Sequence, residues 1–176
     1  MAELREHALV IGEVTLTSGQ TAQYYVDAKR AILLPDGFGA LGELVAAEAE
    51  RVGATAVGGM TMGADPVACA ALAGGAPVKA FFVRKDRKDH GLERWIEGPV
   101  IEPDERCLVV EDVVTTGGST VQAIERVREE GLEVAGVRSV LDRLAGGAEA
   151  IEQAAGGAPY VALTTIDDVY QDRPDR

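Results

Sequence analysis

Cysteine is scarce in this chain, and positive charge is in deficit. Only Cys69 and Cys107 occur in 176 residues, both in apolar surroundings. They read as buried free thiols, which fits a reducing cytoplasm. Lys and Arg number 17 against 29 Asp and Glu, a formal net charge of −12. That balance argues against a general nucleic-acid binder and against a protein held on an anionic membrane. No apolar run approaches the length of a membrane span, and Met1 to His7 form no apolar signal region, so a cytoplasmic protein is expected. His7 has no cysteine or histidine nearby to share a metal and reads as a surface residue. There is no internal repeat and no low-complexity block. The Walker Lys-Ser/Thr pair and the Gly-x-Gly-x-x-Gly dinucleotide pattern are both missing.

What is present is glycine, 21 residues of it, and a regular succession of short apolar segments. At this length one domain is expected, spanning residues 1–176. Residues 3–11 fit a short helix with Leu4, Ala8 and Ile11 along one side, stopped by Gly12. Residues 14–19 and 24–27 fit the arms of a β-hairpin. Adjacent tyrosines on a strand face opposite ways, so one of Tyr24 and Tyr25 can be core while the other covers a planar ligand. Asp36 is a candidate N-cap for a helix running to Arg51, with Gly53 as its stop. Strands over 54–59, 78–83, 107–110, 133–141 and 160–166 then alternate with helices over 67–73, from Val121 to Gly131, and over 149–155. Residues 171–176 read as a frayed tail. The alternation predicts an α/β fold: a parallel sheet with right-handed crossovers and helices on both faces. The hairpin precedes the first crossover unit, so it forms an N-terminal hood of about residues 1–35 over a core of about 36–170.

One stretch organises the rest. From Arg106 the chain reads Arg-Cys-Leu-Val-Val-Glu-Asp-Val-Val-Thr-Thr-Gly-Gly-Ser-Thr120. Cys107 to Val110 are apolar, as in a strand buried on both faces. Glu111 and Asp112 follow at its C-terminal end, and Thr115, Thr116, Gly117, Gly118 and Ser119 then open a helix. Small residues at a helix start expose backbone N–H groups at a positive dipole end, a site for a phosphate monoester. Two carboxylates beside it suit ribose hydroxyls, directly or through a metal. The plainer alternative is an ordinary strand–loop–helix connection whose hydroxyls cap the helix. A second loop, Met60 to Pro66, carries Gly63, and a third, Arg84 to Gly98, is long for a connection between buried strands. The third puts four cations, Arg84, Lys85, Arg87 and Lys88, within five residues, with His90 beyond them. Asp142 and Arg143 close the next strand, where ligands of open parallel sheets bind.

These strings resemble the type I phosphoribosyltransferases, and in detail the orotate phosphoribosyltransferases. The phosphate loop, Arg-Lys-x-x-Lys-Asp-His-Gly from Arg84, the Asp142-Arg143 pair, and Thr-Leu-Thr-Ser-Gly with Tyr24-Tyr-Val-Asp27 in the hood carry the likeness. The resemblance implies transfer from phosphoribosyl pyrophosphate (PRPP) to orotate, giving orotidine 5′-monophosphate and pyrophosphate, a step of pyrimidine biosynthesis. In that family Arg84, Lys85, Lys88 and His90 fall on pyrophosphate contacts, whereas Arg87 falls on a variable position. Glu111 and Asp112 fall on the ribose contacts. Residues Val113, Val114, Thr115, Thr116, Gly117, Gly118 and Ser119 line the phosphate end. Catalysis would rest on Lys85, Lys88, His90 and Asp112. Thr115, Arg143 and Tyr25 would contact orotate, Arg143 pairing with its carboxylate as a planar guanidinium does well. Mg²⁺ would be carried mainly by PRPP, with no dedicated protein metal site. A homodimer is implied, with Lys85 acting in the neighbour's site and with neither nucleic acid nor membrane as partner. One departure stands out: many members have lysine where this chain has Thr17, leaving Lys29 or Arg30 to supply a charge. Transfer to a different base and a PRPP-sensing regulator are the alternatives. Arg143 speaks against the first, and the absence of a helix-turn-helix or basic face against the second.

Overall fold

The computed structural model describes residues 1–15, 21–86 and 94–175. Two sheets organise it. A hairpin pairs β1 (Leu9–Thr15) antiparallel with β2 (Thr21–Val26). The short helix α1 (Lys29–Ile32) and the long α2 (Pro35–Val52) follow. The second sheet is built from β3 (Ala56–Met60), β4 (Lys79–Val83), β5 (Ile96–Glu97), β6 (Arg106–Val114), β7 (Glu133–Asp142) and β8 (Tyr160–Thr165). Its order is β5-β4-β3-β6-β7-β8, parallel throughout except for the edge strand β5. The crossovers are α3 (Asp65–Ala73), α4 (Gly118–Glu129) and α5 (Gly147–Ala155), and the short α6 (Ile166–Val169) comes last.

The pattern of the central strands explains the layers. Alternate residues of a strand face opposite ways. Leu108 and Val110 join Val57, Leu41, Val45 and Val67 in one apolar layer, under α2 and α3. Cys107 and Val109 join Ala56, Phe81, Ala123, Ile124, Val127 and Ile151 in the other, under α4 and α5. A strand covered on both faces must be apolar at nearly every position, as this one is. Polar residues interrupt the pattern at a few points, among them Arg138 of β7, 1% exposed, whose Nε donates to Glu48 Oε2 at 2.5 Å. A further nitrogen donates to the Pro159 carbonyl at 2.8 Å. Removing Glu48 would leave a buried charge unpaired, at a cost of roughly 3–5 kcal/mol.

Four boundaries differ from expectation. The first helix is a single wide turn, Leu4–Ala8, and residues 9–11 join β1 instead. Their pairing with Val26, Tyr25 and Tyr24 outweighs the helical spacing of Leu4, Ala8 and Ile11. Gly12 stops no helix; at φ 134° it lies where the β1–β2 register shifts, between Ile11 and Val14. Helix α2 starts at Pro35, capped by an extended Leu34, so Asp36 falls inside the first turn. Proline's fixed φ suits that first position, and the residue before it is driven extended. The tail is not frayed as far as residue 175. Arg173 pairs with Asp167 at 2.9 Å and with Asp175 at 3.0 Å, and the Tyr24 hydroxyl donates to Asp175 at 2.9 Å.

Helices α2 and α3 approach closely at glycine. A Cβ on Gly42 would lie 2.7 Å from the Ala70 carbonyl oxygen and 3.0 Å from Gly74 N, whereas one on Gly39 would meet nothing within 4 Å. Gly42→Ala should therefore lower the melting temperature by roughly 2–12 °C, the effect of about 1–3 kcal/mol of overpacking. Gly39→Ala, on the exposed side of the same helix, should be neutral or raise it. Thermal denaturation of the two variants checks the contrast; equal shifts would refute the close packing.

Candidate active site

The site forms where β6 outruns its neighbour. Strand β3 pairs with β6 only as far as Val109, while β7 stays paired through Val114. Glu111 and Asp112 thus lie within β6 rather than past its end, because Val113 and Val114 keep their pairing with Leu141 and Asp142. On the β3 side the pair faces the loop from Met60, which contains a cis Thr61–Met62 peptide. A Cβ on Gly63 would lie 2.4 Å from Asp112 Oδ1 and 3.0 Å from Glu111 Oε1. Glycine is needed there because the backbone closes directly onto the carboxylates.

The two carboxylates are nearly buried, at 4% and 7% exposure, and they have different partners. Glu111 Oε2 accepts from the Ser119 hydroxyl at 2.7 Å and the Thr120 hydroxyl at 3.4 Å. Its Oε1 accepts from the Asp112 N–H at 3.2 Å. Burial pushes the Glu111 carboxyl up to about 7; the Ser119 bond opposes this and the neighbouring Asp112 charge adds to it. Asp112 Oδ1 accepts from the Val113 N–H at 2.8 Å, and Oδ2 accepts from Lys29 Nζ at 2.8 Å. Lys29 also reaches Asp27 Oδ1 at 3.0 Å. Burial works against its charge, but the bonds from Asp112 and Asp27 prevail and hold its pKa above the usual lysine range. Arg30 is exposed, so Lys29 is the hood cation that enters the site.

Helix α4 begins without a side-chain cap. Its hydroxyls therefore do not satisfy the first N–H groups, as the plainer alternative requires; Ser119 and Thr120 turn to Glu111 instead. Gly117 takes φ 78°, and a Cβ there would lie 2.8 Å from the Gly147 carbonyl oxygen. Thr115 is half-buried, and Thr116, Gly118 and Ser119 are exposed at the helix mouth. Open N–H groups at a positive dipole end can hold a phosphate.

Arg84 follows β4, with Nη1 3.1 Å from Glu97 Oε1, and Lys85 is exposed. Lys88 and His90 lie outside the described residues, as do Thr17 and Arg87. Arg143 follows β7, with its N–H on the Val114 carbonyl at 2.9 Å. Its Cζ stands 5.2 Å from the centre of the Tyr24 ring, and its buried Nε has no hydrogen-bond partner among the described residues. An unpaired buried N–H there awaits an acceptor. The tyrosine beside Arg143 is Tyr24, 3% exposed; Tyr25 is 39% exposed on the opposite face of the hairpin. The pattern of the two tyrosines left their faces open. Sequence gave Lys29 only a general charge, because its partner Asp112 is remote in the chain.

A phosphoribosyl transferase domain model matches residues 55–157. An orotate phosphoribosyltransferase of Corynebacterium glutamicum is 46% identical over 171 residues, covering 96% of this chain and 91% of that protein. The one from Streptomyces avermitilis is 48% identical over 164 residues, covering 91% and 89%. Among solved structures, Mycobacterium tuberculosis orotate phosphoribosyltransferase with Fe(III) dicitrate superposes with a TM-score of 0.84 at 43% identity, covering 95% of this chain and 94% of that one. The same enzyme solved with PRPP gives 0.80 at 39% identity, covering 96% and 94%.

The buried Glu111 makes stability depend on pH. Its folded pKa, about 7, lies above the ordinary 4.5, so its contribution is fully present below that ordinary value and is lost as pH rises through about 7. Glu111→Gln cannot ionise and escapes this loss. Its melting temperature relative to the parent should climb from pH 4.5 to pH 7 and then level off. A difference that stays flat with pH, measured by calorimetry, would show that Glu111 titrates normally.

Proposed function

The chain belongs to the orotate phosphoribosyltransferases, and we infer that it transfers the phosphoribosyl group of PRPP to orotate. The products are orotidine 5′-monophosphate and pyrophosphate. The observation that carries the choice of base is Arg143, half-buried over Tyr24 with Nε unpartnered. A guanidinium so placed suits a planar ring bearing a carboxylate, whereas uracil and purine bases offer no carboxylate to pair with it. The bond from C1 of the ribose to pyrophosphate breaks, its electron pair leaving with pyrophosphate, and N1 of orotate bonds to C1, its proton passing to solvent. Positive character grows on the ribose between those events. Catalysis is then positioning and charge stabilisation.

The residue roles proposed here combine the family resemblance with the geometry of the described residues. Backbone N–H groups from Thr115 to Ser119 hold the 5′-phosphate at the uncapped start of α4. Val113 and Val114 carry the backbone to that loop, and Thr115 stands between phosphate and base. Asp112 and Glu111 receive ribose hydroxyls and favour the developing positive charge. Arg84 and Lys85, with Lys88 and His90 further along, neutralise the departing pyrophosphate. Tyr24 underlies Arg143, and Tyr25, on the opposite face of the hairpin, does not share that position. Mg²⁺ fits this donor set as a substrate-borne ion. Asp112 Oδ2 already engages Lys29 and Glu111 Oε2 engages Ser119, so the pair is poorly placed to cage a metal by itself. When bound, the ion draws charge from the pyrophosphate oxygens. Free Cys69 and Cys107, the latter buried with its thiol pushed up to about 12 by burial, fit work in a reducing cytoplasm.

Turnover of orotate with PRPP and Mg²⁺, beside uracil and hypoxanthine controls, tests the assignment; preference for either control would overturn it. Arg143→Ala should raise KM for orotate more than about tenfold while KM for PRPP changes far less, since a charge-assisted pair contributes roughly 1.5–3 kcal/mol. Equal effects on both substrates would make Arg143 structural.

Lys85 is exposed and pairs with no carboxylate among the described residues, which suits the proposed homodimer in which it serves the neighbour. Mixing Lys85→Ala with Asp112→Asn distinguishes this from action within one chain. Half of randomly exchanged dimers are mixed, and each rebuilds one of two sites, so about a quarter of parental activity should return under two-fold symmetry. Demonstrated exchange without recovery would refute the shared site.

A further inference from the structure

Arg126 belongs to no motif of the sequence, yet it joins three parts of the site. It projects from α4, the helix whose start faces the phosphate position. Its Nη1 donates to the Arg84 carbonyl at 2.5 Å and its Nη2 to the Lys85 carbonyl at 2.8 Å. Nη1 also lies 3.3 Å from Met60 Sδ, at the end of β3. The guanidinium plane covers Trp95, with Cζ 4.2 Å from the ring centre. Trp95 is held in turn: its indole N–H donates to Glu129 Oε2 at 2.7 Å and its backbone N–H to Glu130 Oε1 at 2.8 Å. The Trp95 carbonyl accepts from the Arg84 N–H at 2.9 Å. One planar group thus grips two successive carbonyls in its plane and an aromatic face against it, a combination that lysine cannot reproduce.

We propose that Arg126 is a positioning residue for the pyrophosphate cations, fixing the backbone of Arg84 and Lys85 to the helix that receives the 5′-phosphate. The inference rests on the assignment of Arg84 and Lys85 to pyrophosphate made above. The backbone that carries these cations is then referred to α4 of its own chain, whichever subunit's site the cations enter. The fold itself depends little on this contact. Helix α4 is already fastened through buried Ala123, Ile124 and Val127, and Arg126 is only half-buried.

The test compares Arg126→Met, Arg126→Lys and Lys85→Ala with the double variant Arg126→Met/Lys85→Ala, all as full-length protein. Arg126→Met should lower kcat/KM for PRPP about tenfold or more, with KM for orotate changed by less than about threefold and the melting temperature shifted by no more than a few degrees. Arg126→Lys keeps the charge but loses the fork, and it should recover little. The double variant should lose clearly less than the product of the two single losses, since Arg126 acts in part through Lys85 and in part through Arg84. Full recovery by Arg126→Lys would overturn the proposal in favour of a diffuse charge effect. Multiplied losses in the double variant would overturn it in favour of independent action. Loss of PRPP and orotate affinity together with a large fall in melting temperature would overturn it in favour of a structural clasp. If Lys85→Ala keeps parental activity, the assignment of Lys85 fails first and the inference falls with it. If Lys85→Ala is crippled and Arg126→Met is not, the inference alone fails.

Discussion

Two adjacent carboxylates, almost buried, are the constraint around which this molecule is arranged. Removing an unpaired carboxylate from water costs several kcal/mol even after relaxation. Neighbouring like charges add to that cost. The chain meets it asymmetrically. Asp112 receives an ammonium from the hood, Lys29 at 2.8 Å, and Glu111 receives hydroxyls from α4. Hydroxyls do not offset burial as an opposite charge does, and the Glu111 carboxyl accordingly rises to about 7. One carboxylate is thus held in an ion pair, while the other gains most when a hydroxyl or a developing positive charge arrives. Hood, helix and the Gly63 backbone must all be in place for this division to exist.

The hood cannot supply Lys29 by its own stability, because a lone two-stranded hairpin is marginal in water. Its bracing comes from the far end of the chain. Tyr24 meets the Tyr170 ring edge-on at 5.3 Å, its hydroxyl reaches Asp175, and Arg5 donates to the Asp168 carbonyl at 2.9 Å. The same Tyr24 lies beneath Arg143. The proposed base end of the site is therefore assembled from both ends of the described chain. The proposed phosphate end is built from contiguous residues of β6 and α4.

That difference decides what the sequence could reveal. Strand–loop–helix order and the positions of the glycine loop, the acidic pair and Arg143 depend on local pattern, and they are legible in the sequence. Residues 9–11 were mistaken for helix because the ladder with residues 24–26 supplies what local spacing does not. The length of β6 was underestimated because polar Glu111 and Asp112 resemble a strand end, whereas pairing with β7 carries the strand past them. The tail looked frayed because its partners, Tyr24 and Asp167, are identified only by the fold. Lys29, Tyr24 and Arg126 share that origin. Each matters through a contact remote in sequence, and no spacing rule points to it.

A formal charge of −12 appears ill suited to a protein whose two proposed substrates are both anions. Screening resolves this. At physiological ionic strength exposed charges are felt over only about 8 Å, so the acidic surface acts weakly on a substrate that has entered the cleft. What matters there is the short-range arrangement: the N-terminus of α4, Lys29 between Asp27 and Asp112, Arg84 and Lys85 after β4, and Arg143 after β7. Several of these cations are tied to the protein through partial contacts, Arg84 to Glu97 and Lys29 to two carboxylates. Such ties lower the cost of holding like charges close together before the anion arrives. They also keep each cation from drifting to the acidic surface around it. The acidic body and the anion-binding cleft are then compatible, because selectivity is set by where a few cations are held and not by the charge of the whole chain.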